Sequence, residues 1–277
     1  MTGATSVILA VHERADALDA VLRAFAEQTP PLPQIVVADD GSGPAVAAVA
    51  ARWRETLDVV HVREEHAGFR KARMQNLAAE AAAGDYLLFL DGDCIPRTGF
   101  LDAVRRAARP GWFLTTKRLL LGEAFSRRIL AGEVRPWRWS TAAWLLRAPR
   151  ELGRPGYLIP VRDRRRPWRA RQPEFVPPFH AYTLFGLRRE DFERVNGYEG
   201  RCTRSTDGED QDLAIRLRRS GLRCGWPGPR STVLHLWHPV RADRSDRADR
   251  VFKQTEASDH VEAVLGLREL RAEARGS

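Results

Sequence analysis

Apolar and polar positions along the first ninety residues switch repeatedly between two periods. "SVILAV" (6–11) is a short aliphatic run that reads as a buried strand. Over 15–28, Ala17, Leu18, Val21, Leu22 and Phe25 recur at helical spacing. "QIVVAD" (34–39) is a second strand, broken by Asp40-Gly41-Ser42, and an alanine-rich helix follows to about Thr56. "LDVVHV" (57–62) is a third strand, 70–83 a further helix, and Tyr86 to Leu90 a fourth strand. This alternation predicts an α/β domain with a mostly parallel central sheet flanked by helices. Ligands of such sheets bind at the carboxyl ends of the strands. Asp40 and the pair Asp91 and Asp93 both fall at strand ends, which makes one site of two motifs.

The fourth strand stops abruptly at Asp91-Gly92-Asp93. Two carboxylates on a glycine-hinged turn make a compact oxygen site for Mg²⁺ or Mn²⁺ carrying a diphosphate, although Asp and Gly are also ordinary turn residues. The stretch from 117 to 175 is irregular, with one or two helices and a mobile basic loop expected. Trp137, Trp139, Trp144 and Trp168 within it suit either an acceptor site or a small core. "FHAYTLFGLRREDFERVNGYEG" (179–200) reads as strand, helix start and a turn at Asn196-Gly197.

Helical periodicity resumes near Glu209, where acidic residues favour the helix N-terminus, so Glu209 and Asp210 read as capping or as catalytic groups. Asp210 shares a face with Leu213, Ala214 and Leu217 and is expected to point inward, suited to act as a general base. Asp212 pairs four residues on with Arg216 and is expected on the solvent face. "STVLHLWHP" (231–239) is a short strand carrying His235 and His238. Three apart in an extended segment, these two point to opposite faces, so only one is expected to reach a given site.

Composition narrows the class. A chain of 277 residues with 43% hydrophobic content buries a substantial core. No apolar run approaches membrane-spanning length, and the chain enters its first strand with no signal-like segment, so a cytoplasmic location is expected. Three scattered cysteines, Cys94, Cys202 and Cys224, fit packing in a reducing compartment, with no disulfide framework or zinc cluster. The net charge of +9 comes mostly from arginine and admits nucleic acid, a membrane surface or an anionic substrate as partner. Its densest run, "RDRRRPWRAR" (162–171), reads either as a solvated loop or as a segment that covers a ligand site or steers an anionic partner.

Six pieces in order carry a resemblance: "SVILAVHER", "VVADDGS", "GFRKARMQNLA", "FLDGDCIP", "FGLRREDFERVNGYEG" and "GEDQDLAIRLRRSGL", within residues 5–240. The chain resembles a family 2 glycosyltransferase of the GT-A fold, with a Rossmann-like sheet. "LHLWHP" further resembles the C-terminal segment of chondroitin-polymerase-like and galactosyltransferase-like members. The resemblance implies that Asp93 binds the metal and Asp91 contacts the ribose or a metal-bound water. It implies Asp40 on the uracil or ribose, with Ala10, His12 and Glu13 lining the nucleoside and Arg73 near the nucleotide. It makes Asp210 in "GEDQD", beside Glu209, the catalytic base, and His235 a further metal ligand. His12-Glu13 replaces the common Tyr-Asn, and "GED" lacks a preceding Trp-Gly.

The implied reaction moves a sugar, hexosyl or N-acetylhexosaminyl, from a UDP-sugar to an acceptor hydroxyl with inversion and with Mn²⁺ or Mg²⁺. The acceptor is a glycan, lipid-linked carrier, peptide or small molecule; nucleic acid is not expected, and peripheral contact with anionic surfaces is. The expected organisation is one domain over 1–245, with a nucleotide-sugar half (1–116) and an acceptor half (117–245), then a helical extension (246–277). Two rivals fit less of the pattern. A sugar nucleotidyltransferase needs a glycine-rich N-terminal loop ending in Arg, which "AVHERADAL" is not. A basic binding module has no use for Asp40, Asp91, Asp93 and Asp210 in register.

Overall fold

The computed structural model describes residues 4–140, 143–144, 146–147, 184–205, 207–239 and 250–276. The arginine run at 162–171, Trp168 and the start of the 179–200 segment lie outside these residues.

The hydrophobic runs become β1 (Thr5–Val11), β2 (Gln34–Asp39), β3 (Val59–Arg63) and β4 (Tyr86–Asp91). Between them lie α1 (Ala15–Ala26), α2 (Pro44–Trp53) and α3 (Lys71–Ala81). These four strands pair in parallel in the order β3-β2-β1-β4. The sheet continues through β8 (Leu184–Arg188), β6 (Trp112–Leu114) and β9 (Arg223–Gly225). Of these, β8 alone runs against its neighbours. Register matters for function: Val11 pairs with Asp39, and Ala10 pairs with both Ala38 and Asp91. The ends of β1, β2 and β4 therefore finish level, and their carboxylates line one edge.

A second sheet of three strands sits beside that edge. It orders β5 (Cys94–Pro96), β10 (Val233–His235) and β7 (Arg118–Leu120). β10 falls inside the strand expected over 231–239, whereas nothing in the sequence pattern singles out β5 and β7, because three residues carry no measurable alternation.

Side chains of the main sheet alternate between two cores. Val7, Leu9, Val11, Leu88 and Leu90 pack under α1 and α4 (Phe100–Ala107), together with the small sheet. Ile8, Val36, Leu87 and Phe89 pack under α3, α6 (Arg189–Arg194) and α7 (Glu209–Arg219). Of the middle tryptophans, Trp137 and Trp144 are buried in the first core beside α5 (Glu123–Leu130), and Trp139 packs against it. All three cysteines are buried and unbridged. Among the described residues no helix is long and apolar enough to cross a membrane.

Residues beyond 250 form α8 (Val251–Glu256) and α9 (Leu267–Gly276), which pack on α7 and α3 respectively. This packing corrects one expectation. Asp212 is not on a solvent face: it is fully buried, and so is Arg216. Arg216 donates to Asp212 Oδ2 through Nη2 (2.6 Å) and Nε (2.9 Å). The Thr255 hydroxyl of α8 donates to Asp212 Oδ1 (2.6 Å). Arg216 Nη1 reaches the carbonyls of Val195 and Gly197. The helical phase leaves this face bare, and α8 covers it from forty residues further along the chain.

A buried, fully hydrogen-bonded pair loses far more than an exposed one when one partner is neutralised. Asp212→Asn is expected to cost roughly 3–5 kcal/mol of stability, lowering Tm by about 10 °C. A denaturation midpoint equal to wild type would return Asp212 to the surface role.

Candidate active site

Asp40, Asp91 and Asp210 reach the site edge from three elements. Asp40 follows β2, where Gly41 has φ +70° and a Cβ would lie 2.2 Å from the His66 nitrogen, so only glycine fits the turn. Asp40 Oδ2 accepts the Arg70 backbone N–H (2.9 Å), while Oδ1 is buried with no hydrogen-bond partner. His12 and His66 stack with centroids 4.5 Å apart, and each brings Nδ1 to 3.0 Å from the Asp40 carbonyl oxygen. Glu13, at φ 57°, accepts the Gly43 N–H at the start of α2 (2.9 Å). Ala10 accepts the Gly92 N–H (2.8 Å), and a Cβ on Gly92 would strike Val11 and the Ala10 oxygen. The Asp91-Gly92-Asp93 turn is thereby pressed against the end of β1.

The centre of the site is Lys71, the first residue of α3. Its Nζ lies 2.7 Å from Asp91 Oδ1, 2.9 Å from Glu209 Oε1 and 3.7 Å from Asp210 Oδ2. Burial acts to lower the Lys71 pKa, but the charges of Asp210, Asp91 and Glu209 outweigh it and hold the ammonium protonated well beyond its usual range. Asp91 is likewise penalised by burial, yet Lys71 brings it below the ordinary carboxylate value. Asp210 goes the other way. Burial raises it to about 7, with Glu209 and Asp91 adding to the rise against Lys71 and Arg118. The Tyr198 hydroxyl, kept protonated chiefly by burial, lies 3.5 Å from Asp210 Oδ1. Asp210 is therefore an inward carboxylate still 19% exposed to the cleft.

Beside this cluster, Asp93, His235 and His238 bring one ligand atom each within 4.8 Å of one another. His235 Nε2 and His238 Nε2 each lie 3.6 Å from Asp93, one on each oxygen. This corrects the expectation that only one histidine reaches the site. The strand ends at His235; the Leu236 N–H donates to the Asp93 carbonyl in the β5 register, but the Trp237 N–H turns to Ser126 Oγ, so strand alternation stops and His238 reaches the same side. Burial lowers the His235 pKa, leaving a neutral imidazole with a lone pair to give.

The donor set fits a divalent transition ion better than Mg²⁺, which prefers oxygen ligands throughout. Asp91, Asp93 and Cys94 form an alternative group. It is the poorer one, because Lys71 already holds Asp91 and burial keeps the Cys94 thiol protonated.

Arg73 is not brought to this cluster. It pairs with Glu64 (2.9 Å) and Glu273 (2.8 Å) on the outer side of α3. The basic residue in the site is Lys71, which the sequence reading passed over. A signal existed: Lys71, Gln75, Ala78, Ala79 and Ala82 share one helical face, and Gln75, Ala78 and Ala79 are buried. Tyr198 and Arg70, also passed over, come from segments already singled out.

The comparisons agree with this geometry. Residues 6–111 match the family described as Glycosyl transferase family 2. Chondroitin synthase of Pasteurella multocida (strain Pm70) is 30% identical over 93 residues, 33% of this chain and 10% of that protein. Validoxylamine A glucosyltransferase of Streptomyces hygroscopicus subsp. jinggangensis (strain 5008) is 32% identical over 115 residues, 39% of this chain and 27% of that protein. The chain thus spans only a small part of the curated relatives it matches.

Among solved structures, the mannosyltransferase PcManGT from Pyrobaculum calidifontis, in complex with GDP-Man and Mn²⁺, has TM-score 0.58 at 18% identity, covering 98% of this chain and 74% of that one. S. aureus TarS 1–349 in complex with UDP-GlcNAc has TM-score 0.62 at 14% identity, covering 96% and 69%. The likeness to these structures defines the architecture as that of GT-A glycosyltransferases. Residues 6–111 of the chain are thus similar to glycosyltransferase family 2.

The ligand set makes a direct prediction. Asp93→Ala, His235→Ala and His238→Ala are each expected to weaken Mn²⁺ binding about tenfold or more, read by titration of free Mn²⁺ with UDP present. Asp91→Asn is expected to change it less. If His238→Ala bound Mn²⁺ like wild type, the third ligand would have to come from elsewhere.

Proposed function

We propose that the chain is an inverting, metal-dependent glycosyltransferase, moving a hexosyl or N-acetylhexosaminyl group from a UDP-sugar to an acceptor hydroxyl. Asp210 acts as general base. The observation that carries this reading is an inward carboxylate poised at about 7, next to a carboxylate–imidazole triad at the carboxyl edge of a parallel sheet. The solved neighbours with bound UDP-GlcNAc or GDP-Man and Mn²⁺ support the donor class. A basic module without catalysis gives no account of a protonated lysine shared by three carboxylates.

Each residue has a task in this reading. Asp40 Oδ1, an acceptor without a donor, takes an N–H of the base or a ribose hydroxyl. His12, Glu13 and Ala10 shape the nucleoside wall. Asp91, oriented by Lys71, faces the ribose. Asp93, His235 and His238 hold Mn²⁺, which when bound supplies a Lewis acid for charge gathering on the diphosphate. Asp210 accepts the acceptor hydroxyl proton as that oxygen bonds to the anomeric carbon. The bond from the anomeric carbon to the β-phosphate oxygen breaks, and its electron pair leaves with UDP. One displacement inverts the anomeric centre. Glu209 holds Lys71 beside the base, and Tyr198 steadies the other carboxylate oxygen. The domain limits at 1–245, with halves at 1–116 and 117–245, and a cytoplasmic setting with peripheral contact at anionic surfaces belong to the same reading; the net charge of +9 supports that contact.

The test is transfer from UDP-sugars, measured as UDP release with Mn²⁺ and across pH. Asp210 must be deprotonated to act, so kcat/KM should fall with decreasing pH below about 7, approaching tenfold per pH unit. Lys71 opposes the raised Asp210 value, so Lys71→Met should move that acid limb to higher pH. Asp210→Asn should retain UDP binding and lose transfer by about 10²-fold or more. Full activity in excess EDTA, or an active Asp210→Asn enzyme, would rule the mechanism out.

A further inference from the structure

One part of the active edge holds two cations that no carboxylate of the described site contacts. Lys117 and Arg118 lie on the connection from β6 into β7, where the chain crosses from the large sheet to the small one. Among the described residues no carboxylate pairs with either of them. Their basic neighbours differ: Lys71, Arg70, Arg73 and Arg216 all have carboxylate partners. Lys117 instead rests its ammonium over the Trp226 ring, 5.1 Å from the centroid. Both cations are half-buried, as is Trp226. Burial lowers the Lys117 pKa, the sign of a charge short of both water and counter-ion.

The topology says what the occupant is not. β6 is antiparallel to β8, which is antiparallel to β4, so β6 exits on the same edge as Asp91. The order β4-β8-β6-β9 puts that exit two strands from β4, roughly 10 Å away at normal strand spacing, on the side opposite β2 and Asp40. Trp226 follows β9, the next strand out. The nucleoside wall is therefore on the other side of the metal triad. Arg118 pairs with Val233 in register, on the same face of the small sheet as His235. Its charge acts on Asp210, Asp91 and His235 alike. A molecule held there has its hydroxyl near the base.

Resting on the glycosyltransferase reading, we propose that Lys117, Arg118 and Trp226 form an acceptor subsite for a sugar bearing a carboxylate or phosphate. The anion sits between the two cations, and the sugar ring lies along the indole. Such a subsite selects charged acceptors over neutral ones of the same shape, because only an anion satisfies two desolvated cations.

Calorimetry on the full chain tests this, first with Mn²⁺–UDP and then, with that complex formed, with glucuronate, glucose 1-phosphate and glucose. The expected result is that one or both anionic sugars bind about tenfold or more tightly than glucose. Lys117→Met/Arg118→Met should erase the preference while Mn²⁺–UDP affinity stays within about twofold. Trp226→Ala should weaken all three sugars. Lys117→Gln, the milder change, should reduce the preference in a protein whose circular dichroism matches wild type.

Equal affinity for charged and neutral sugars would overturn the proposal, as would a preference that survives the double substitution. So would a tenfold loss of Mn²⁺–UDP affinity in the double variant, which would assign the cations to the donor diphosphate. Failure of the wild type to bind Mn²⁺–UDP would instead overturn the UDP-donor reading. The anionic-sugar preference, measured without nucleotide, would then decide the subsite by itself.

Discussion

One ammonium group organises the functional edge of this molecule. Lys71 Nζ touches a carboxylate at the end of the central strand and two more at the start of α7. These elements are 118 positions apart in sequence between Asp91 and Glu209. Three carboxylates converging in a half-buried cleft would repel one another by several kcal/mol in aggregate without a cation among them. With Lys71 in place, Asp91 stays ionised and Asp210 remains poised. The same contact therefore closes the fold across the sheet and sets the acid–base character of the cleft.

Around that group the edge divides by type of chemistry. Toward β2 lie an Asp40 oxygen with basic nitrogens at 3.6 Å but no hydrogen bond, two stacked imidazoles and a helix N-terminus whose Gly43 N–H meets Glu13. In the middle, the bend after β10 gathers two imidazoles onto Asp93. Toward β6 and β9, the surface turns cationic and aromatic. The progression follows strand order, so the sheet works as a ruler along which different parts of a substrate are recognised.

Much of the N-terminal part of the fold was legible in the sequence because its signals are local. Strands β1, β2 and β4 are apolar runs, and Asp40, Asp91 and Asp93 sit where those runs stop. The inward face of Asp210 followed from helical phase. The errors came where one segment covers or bends another. Asp212 looked solvated because α8, which buries it, lies forty residues away. His238 looked misdirected because the strand was read through to 239, whereas it ends at His235 and the Trp237 N–H leaves the ladder for the Ser126 hydroxyl. Lys71 and Arg73 are both basic and two residues apart, so they occupy nearly opposite sides of α3. Residue type alone did not decide between them, while the buried stripe through Gln75 and Ala78 did. Of the small sheet only β10 was legible, inside the strand expected over 231–239; β5 and β7 carried no pattern to read.

The covering of α7 also bears on how the protein is made. The helix that presents Asp210 has its opposite flank sealed by Thr255 and Phe252, and Asn196, just before it in space, is tied to Ala263 and Arg268. A ribosome releases α7 well before it releases those residues. Until they emerge, Asp212 lacks the Thr255 hydroxyl and the buried pair lacks its cover, and the second core lacks Val251 and Leu267. The four parallel strands β1 to β4 can pair before α7 is made, whereas α7 must wait for its cover. The nascent chain therefore passes through a stage in which Asp40, Asp91 and Asp93 can take their places before Asp210 does, an order of assembly written into the position of α8 and α9.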